Sequence, residues 1–321
     1  MRLYKLSNDF TPRHEGLLFG IETEFDSPQD VEVEVVDVTT NEVVATQLLH
    51  EVTTAEVNIA PYVAPLGDYA PSRPLYTTFV EAPTRLFAVR VGDVGSEPIV
   101  VSVNREAVTL PTLLTSMPQT RRIAYGEWDE LLVLTERGAL IEANIDADTG
   151  ESISVEYTSE NGAATLCILT KDFGKKVRTF DVEIICDGAL LTTLHYTVVP
   201  KRKGALRLAW LSDGGAIERY TFPISVKQQR TVERECIETL EGSRVVSTVA
   251  VSTLSMKSHY EPREVVEALA QITSSTRVWI ESEESYSEVL PLTAVVEVNI
   301  FGEPESLSVG VQLWRREERA L

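Results

Sequence analysis

The run Asp146-Ala147-Asp148-Thr149-Gly150-Glu151 spaces three carboxylates somewhat as a calcium loop does. A complete EF-hand loop would place another oxygen ligand where Gly150 stands, a glutamate farther on, and helices on both sides. Strand-like residues flank this run instead, so it reads as a hairpin turn. The four histidines, His14, His50, His195 and His259, stand singly, with no HxH or HxxxH pair to hold a metal. His195, between Leu194 and Tyr196, reads as a sheet histidine with a hydrogen-bond partner. The three cysteines form no CxxC pair, and Cys167 and Cys186 lie in apolar runs that suit buried free thiols. No GxSxG elbow, P-loop or GxGxxG occurs. Gly214-Gly215 is followed by a strand pattern, which offers no helix dipole to a phosphate. The expectation is a chain with no catalytic residues, no cofactor and no metal.

The elements that would position any site are strands. Val31-Glu32-Val33-Glu34-Val35 alternates, and Val36-Asp37-Val38 resumes in the opposite phase. A one-residue slip exchanges the two faces of a strand, so a bulge is expected at Val35–Val36. Further strands are expected at Leu17–Phe25, Ala55–Ile59, Arg85–Val91 and Ile99–Val103, which makes residues 1–107 an immunoglobulin-like sandwich. Residues 61–83 interrupt the pattern with Pro61, Pro65, Pro71, Pro74 and Pro83, which remove ladder donors. This long loop is read either as a crossover packed on its own domain or as an arm presenting Tyr62, Tyr69, Tyr76 and Phe79 to another subunit.

Six more strand patterns fall between Leu131 and Val199, separated by Asp148-Thr149-Gly150, Asn161-Gly162 and Asp187-Gly188 turns. They make a second sandwich over 108–200. The basic run Lys201-Arg202-Lys203-Gly204 opens the last block, 201–321. There Leu206-Arg207-Leu208-Ala209-Trp210 alternates into a Gly-rich turn, and Glu218–Phe222 alternates out. Val265, Val266, Ala268, Leu269 and Ile272 share one face at helical period, predicting a single amphipathic helix over about 262–275. Strands Val278–Ile280, Val295–Ile300 and 307–313 complete a mainly β chain: two tandem Ig-like sandwiches, then an α+β domain.

Composition sets the outer limits. Lys plus Arg is 29 against 49 Asp plus Glu, a formal net charge of −20 over 321 residues. Nucleic-acid binding depends on cations that displace counterions from phosphates, so such a partner is not expected. The acidic residues read as solvated outer faces of sandwiches. MRLYKLSNDFTPRHEG lacks the apolar core, about 7–15 residues, of a signal peptide. No apolar run reaches the ~18 residues of a bilayer span, so neither export nor membrane insertion is expected.

At Trp210 a resemblance appears. Arg207-Leu208-Ala209-Trp210-Leu211-Ser212-Asp213-Gly214-Gly215-Ala216-Ile217-Glu218-Arg219-Tyr220-Thr221-Phe222 resembles a W-L-N-x-x-G-x-x-x-Y-x-F signature of tail- and baseplate-type structural proteins of Bacteroidetes phages and prophages. Ser212 replaces the usual asparagine. The downstream helix, Ser274-Ser275, Val278-Trp279 and a last strand ending at Trp314-Arg315-Arg316 are similar too. The likeness covers about the last third of the chain. It implies a virion protein assembled in the bacterial cytoplasm as a ring or tube, in contact with other virion proteins. Trp210, Gly214, Gly215, Tyr220, Phe222 and Trp279 would be structural positions, with a sugar-binding platform as the alternative. A carbohydrate- or surface-binding module is the rival function.

Overall fold

The structure, a computed structural model, describes residues 1–24, 27–63, 70–240, 242–282, 285–292, 304–313 and 316–319. Among these the chain is mainly β, with one short α-helix, Arg263–Ala270. The expected strand Val295–Ile300, together with Phe25, Tyr69, Trp314 and Arg315, lies outside the described residues.

Near the N-terminus a three-stranded sheet (Arg2–Lys5, Leu18–Glu22, Thr54–Asn58) faces a five-stranded one built on Gln29–Asp37, Glu42–Val52 and Arg85–Val91. Alternation explains the pairing of faces: Phe19, Ile21 and Val57 from one sheet meet Val31, Val33, Val35, Phe87 and Val89 from the other. The register between Gln29–Asp37 and Glu42–Val52 shifts at Val35/Val36, where the phase of the valines changes. That shift lets both neighbouring valines be buried, on opposite sides of the bulge.

A second pair of sheets follows. Thr112–Leu114, Trp128–Leu134, Ala163–Leu169 and Thr78–Glu81 form one sheet; Thr120–Ala124, Ala189–Val199, Thr179–Cys186, Leu140–Ala147 and Ser152–Thr158 form the other. Leu131, Val133, Leu166 and Ile168 pack against Ile141, Ile145, Val182 and Ile184 between them. Thr120–Ala124 runs parallel to Ala189–Val199, whereas the other pairings here are antiparallel.

Two expectations about residues 61–83 need correction. The segment is not loop throughout, because Thr78–Glu81 is a strand paired with Ala164–Cys167 of the second sheet pair. The prolines permit this, since they flank the strand and do not enter it. Phe79 is 7% exposed within the second core, so it is not a subunit-contact residue. The chain therefore contributes a strand to the second sheet pair before it returns, at Arg85–Val91, to the first.

Among its described residues the last block forms one eight-stranded sheet. Its order runs Ile217–Phe222, Leu206–Leu211, Val278–Glu281, Tyr286–Pro291, Ser308–Gln312, Gly242–Lys257, Ile224–Thr239, with Arg316–Arg319 also paired to Gly242–Lys257. Helix Arg263–Ala270 lays Val265, Val266 and Leu269 on one face of this sheet, against Trp210, Phe222 and Val278. Pro262 occupies its N-cap position with extended backbone, where a missing N–H costs nothing.

Candidate functional site

The Trp210 hairpin lies where all three blocks meet. Leu206, Leu208 and Trp210 project to one face, as their spacing predicts, and enter the core with the helix. Trp210 is fully buried, and its indole N–H has no hydrogen-bond partner among the described residues. The ring therefore acts through its volume and apolar area. Tyr220 and Phe222 meet edge-to-face on the return strand, centroids 5.0 Å apart.

The opposite face of the hairpin is buried as well. It presents Arg207, Ala209 and Leu211 from one strand with Ile217, Arg219 and Thr221 from the other, and Trp279 and Glu281 from the next. Ala209, Ile217 and Trp279 form a small apolar cluster. Around it, Arg207 meets Glu127 at 2.8 Å and Arg219 meets Glu130 at 3.0 Å, both carboxylates belonging to the second sheet pair. Glu281 Oε2 lies 3.4 Å from the Nε atoms of both arginines. Glu218, on the Trp210 face, approaches Arg121 at 3.8 Å, and Arg121 also pairs with Asp129 at 3.1 Å.

Five covered carboxylates thus face three covered guanidiniums. Neutral donors supply part of what the arginines do not, while Arg207 Nε, Arg219 Nε and Nη1, and Glu281 Oε2 form no hydrogen bond among the described residues. Glu127 accepts from Ala124 N–H and Thr221 Oγ1, Asp129 from Tyr196 Oη, and Glu218 from Thr115 Oγ1 and Ser116 N–H. Glu130 accepts from the backbone and the hydroxyl of Ser72. Burying ions costs several kcal/mol each, and the cost is recovered only when every lone pair and proton is matched. Burial by itself would lower the Arg121 pKa, but the carboxylates of Asp129 and Glu218 outweigh it and hold the guanidinium charged. Desolvation, with Asp129 beside it, raises the Tyr196 phenol well above its ordinary value.

Two further contacts tie the signature to its neighbours. Tyr220 Oη donates to Glu261 at 2.8 Å, just before the helix, and Arg122 of the second sheet pair reaches the same oxygen at 3.2 Å. Gly215 has φ +99°, and a Cβ there would lie 2.0 Å from the Val103 carbonyl oxygen. Only glycine fits a left-handed backbone pressed so closely on another chain segment. Arg105 N–H also donates to the Gly214 carbonyl at 3.2 Å, so the turn is seated on the link between the first two blocks.

The proline-rich segment is a strap over this junction. Arg73 lies 5.7 Å from the rings of both Trp128 and Tyr286 and donates to Ser282 O; Tyr286 Oη donates back to Ser72 O. Tyr62 and Tyr76 are exposed.

The remaining chemical candidates are used locally. Asp146 accepts from Ser152 Oγ, Asp148 from Arg178 N–H and Glu151 from Gly174 N–H, so the run at 146–151 is a turn whose acids bind its own surroundings. His195 pairs with Asp181 at 2.8 Å on the open face of its sheet. No group of three or more His, Cys, Asp or Glu among the described residues is placed to hold a metal. No helix among them is long and apolar enough to cross a membrane. A cleft of about 660 Å³ opens at the rim of the ion network, between Lys171, Lys201, Arg207 and Glu281.

The expectation that the acidic residues are solvated outer faces holds for most of those described but fails at Asp37, Glu127, Asp129, Glu130, Glu218 and Glu261, which are buried. A scan of family models finds no match to this chain, and a search of curated proteins finds none either.

Proposed function

We propose that the chain is a non-enzymatic structural protein of a phage virion or prophage-encoded tail assembly. It comprises two Ig-like sandwiches, about 1–107 and 108–200, and an α+β domain, 201–321. It acts as a homo-oligomer, a ring or tube, beside other virion proteins, with a tail or baseplate place preferred to a head or collar one.

The observation that carries this reading is the inward use of the signature. Trp210 and Phe222 are fully buried, Tyr220 is tied to the helix entry, and Gly215 is pressed on Val103. Side chains spent on a joint between blocks suit a building block better than a ligand site. A net charge of −20 would keep subunits soluble before assembly and repel nearby DNA. The rival, a carbohydrate-binding module, would need coplanar exposed aromatics; Trp210 and Trp279, at 0% and 3% exposure, do not supply them.

Mass spectrometry of purified particles, with light scattering of the isolated chain, tests the proposal. The chain is expected in particles and in a homo-oligomer. Its absence from particles, together with a monodisperse monomer in solution, would overturn it.

A further inference from the structure

Strands Ile224–Thr239 and Gly242–Lys257 form a two-stranded ribbon paired almost end to end. Sixteen residues per strand at a rise of about 3.3 Å make it roughly 50 Å long. Its outer half leaves the body of the sheet. Glu233 through Leu240 are exposed on both faces, including Ile237 at 48% and Leu240 at the tip. An isolated two-stranded ribbon is marginal in water, and an open strand edge is a template for another strand.

The two edges of the ribbon differ. Gly242–Lys257 is covered on its far side by Ser308–Gln312 at Thr253–Lys257 and by Arg316–Arg319 at Ser247–Ala250, so that among the described residues only its tip is open. Ile224–Thr239 ends the sheet, with no strand beyond it among the described residues. A head-to-tail arrangement, open edge onto covered edge, would find few free groups. The open edge of a second copy presents a full set.

Charge favours the same partner. The base of the open strand carries Lys227 and Arg230; the tip carries Glu233, Glu235 and Glu238 with Arg234 among them. All are exposed, and none makes an ion pair among the described residues. Two such strands laid antiparallel set each cationic base against the other's anionic tip, the self-complementarity that a two-fold contact requires.

We infer that Ile224–Thr239 pairs antiparallel with the same strand of a second copy about a two-fold axis, joining two sheets into one. This rests on the homo-oligomer part of the proposed function and names one contact within it: a two-fold contact closes on two copies, so it supplies a dimeric unit, and a ring or tube needs a second, different contact. It remains separable from the presence of the chain in particles.

The test is a charge-swap pair in the full chain, followed by light scattering at low ionic strength. One variant carries Lys227→Glu with Arg230→Glu; the other carries Glu235→Lys with Glu238→Lys. The wild-type chain is expected to run at twice its monomer mass. Each variant alone is expected to dissociate about tenfold or more readily, and an equal mixture to regain the dimer, which also proves both variants folded. A wild-type monomer would overturn the pairing, and particle composition would then judge the virion reading by itself. A wild-type oligomer that neither swap weakens would overturn this contact and leave the homo-oligomer standing.

Discussion

Arg219 and Glu130 meet at 3.0 Å across the boundary between the last sheet and the second sheet pair, their side chains 0% and 4% exposed. A charge pair so fully covered is a weak source of net stability but a strong penalty against separation, because parting the surfaces strands both ions.

Replacing Arg219 by Met should therefore destabilise the chain by about 3–5 kcal/mol, since Glu130 loses its cation while Glu281 keeps only Arg207. Adding Glu130→Leu should recover much of that loss. Urea unfolding of the single and double variants measures both. A single variant as stable as wild type would mean that the pair is not buried in solution.

Gly215→Ala places a Cβ against the Val103 carbonyl on a left-handed backbone. Strain of that kind costs on the order of 1–3 kcal/mol, so thermal unfolding should shift down. Proteolysis in the connection around Arg105 should quicken as well. Gly150→Ala, also at positive φ but with open space around it, should spare that connection.

Much of this architecture was legible in the sequence, and the misses have physical reasons. The Val35–Val36 bulge follows from a change of phase, and the helix from the period of Val265, Val266, Leu269 and Ile272. The long ribbon escaped because its outer half is exposed on both faces, so Gln228 through Glu238 show no alternation of apolar and polar residues. Thr78–Glu81 escaped because prolines on both sides masked a short strand. The ion network was the largest miss. Charged residues in strands normally mark a solvated face, and nothing local separates Glu34 from Glu130. One available signal was opposite charge on facing patterns: Asp129-Glu130 leads a run of four apolar residues, and Arg207 sits within an otherwise apolar strand.

The thiols report the packing independently. Burial, with Glu130 nearby, pushes the Cys167 thiol up to about 11. Burial, followed by Asp187, raises Cys186 too. At pH 8 the Cys167 thiolate would then be about one part in a thousand. A maleimide or disulfide reagent should label exposed Cys236 in the native chain and spare the other two until denaturant is added.

His259 gives a pH dependence. Burial lowers its pKa below 6.5, and Arg122 and Arg202 add to this while Glu261 opposes it. With the folded value below the unfolded one, the unfolded chain binds more protons as pH falls through 6.5, and stability declines there. His259→Gln should therefore gain on wild type between about pH 7.5 and about pH 5.5 in parallel denaturant titrations. An unchanged difference between the two proteins would remove this residue from the pH response.

The Trp210 hairpin acts as an internal joint that makes the last block and the second sheet pair one body. Native-state hydrogen exchange tests it most directly. Amides of Leu206–Leu211 and of Trp128–Leu134 are expected to exchange only through a shared opening, with matching free energies and matching denaturant dependence. Amides of Leu206–Leu211 that open at lower energy, while Trp128–Leu134 stays protected, would contradict it.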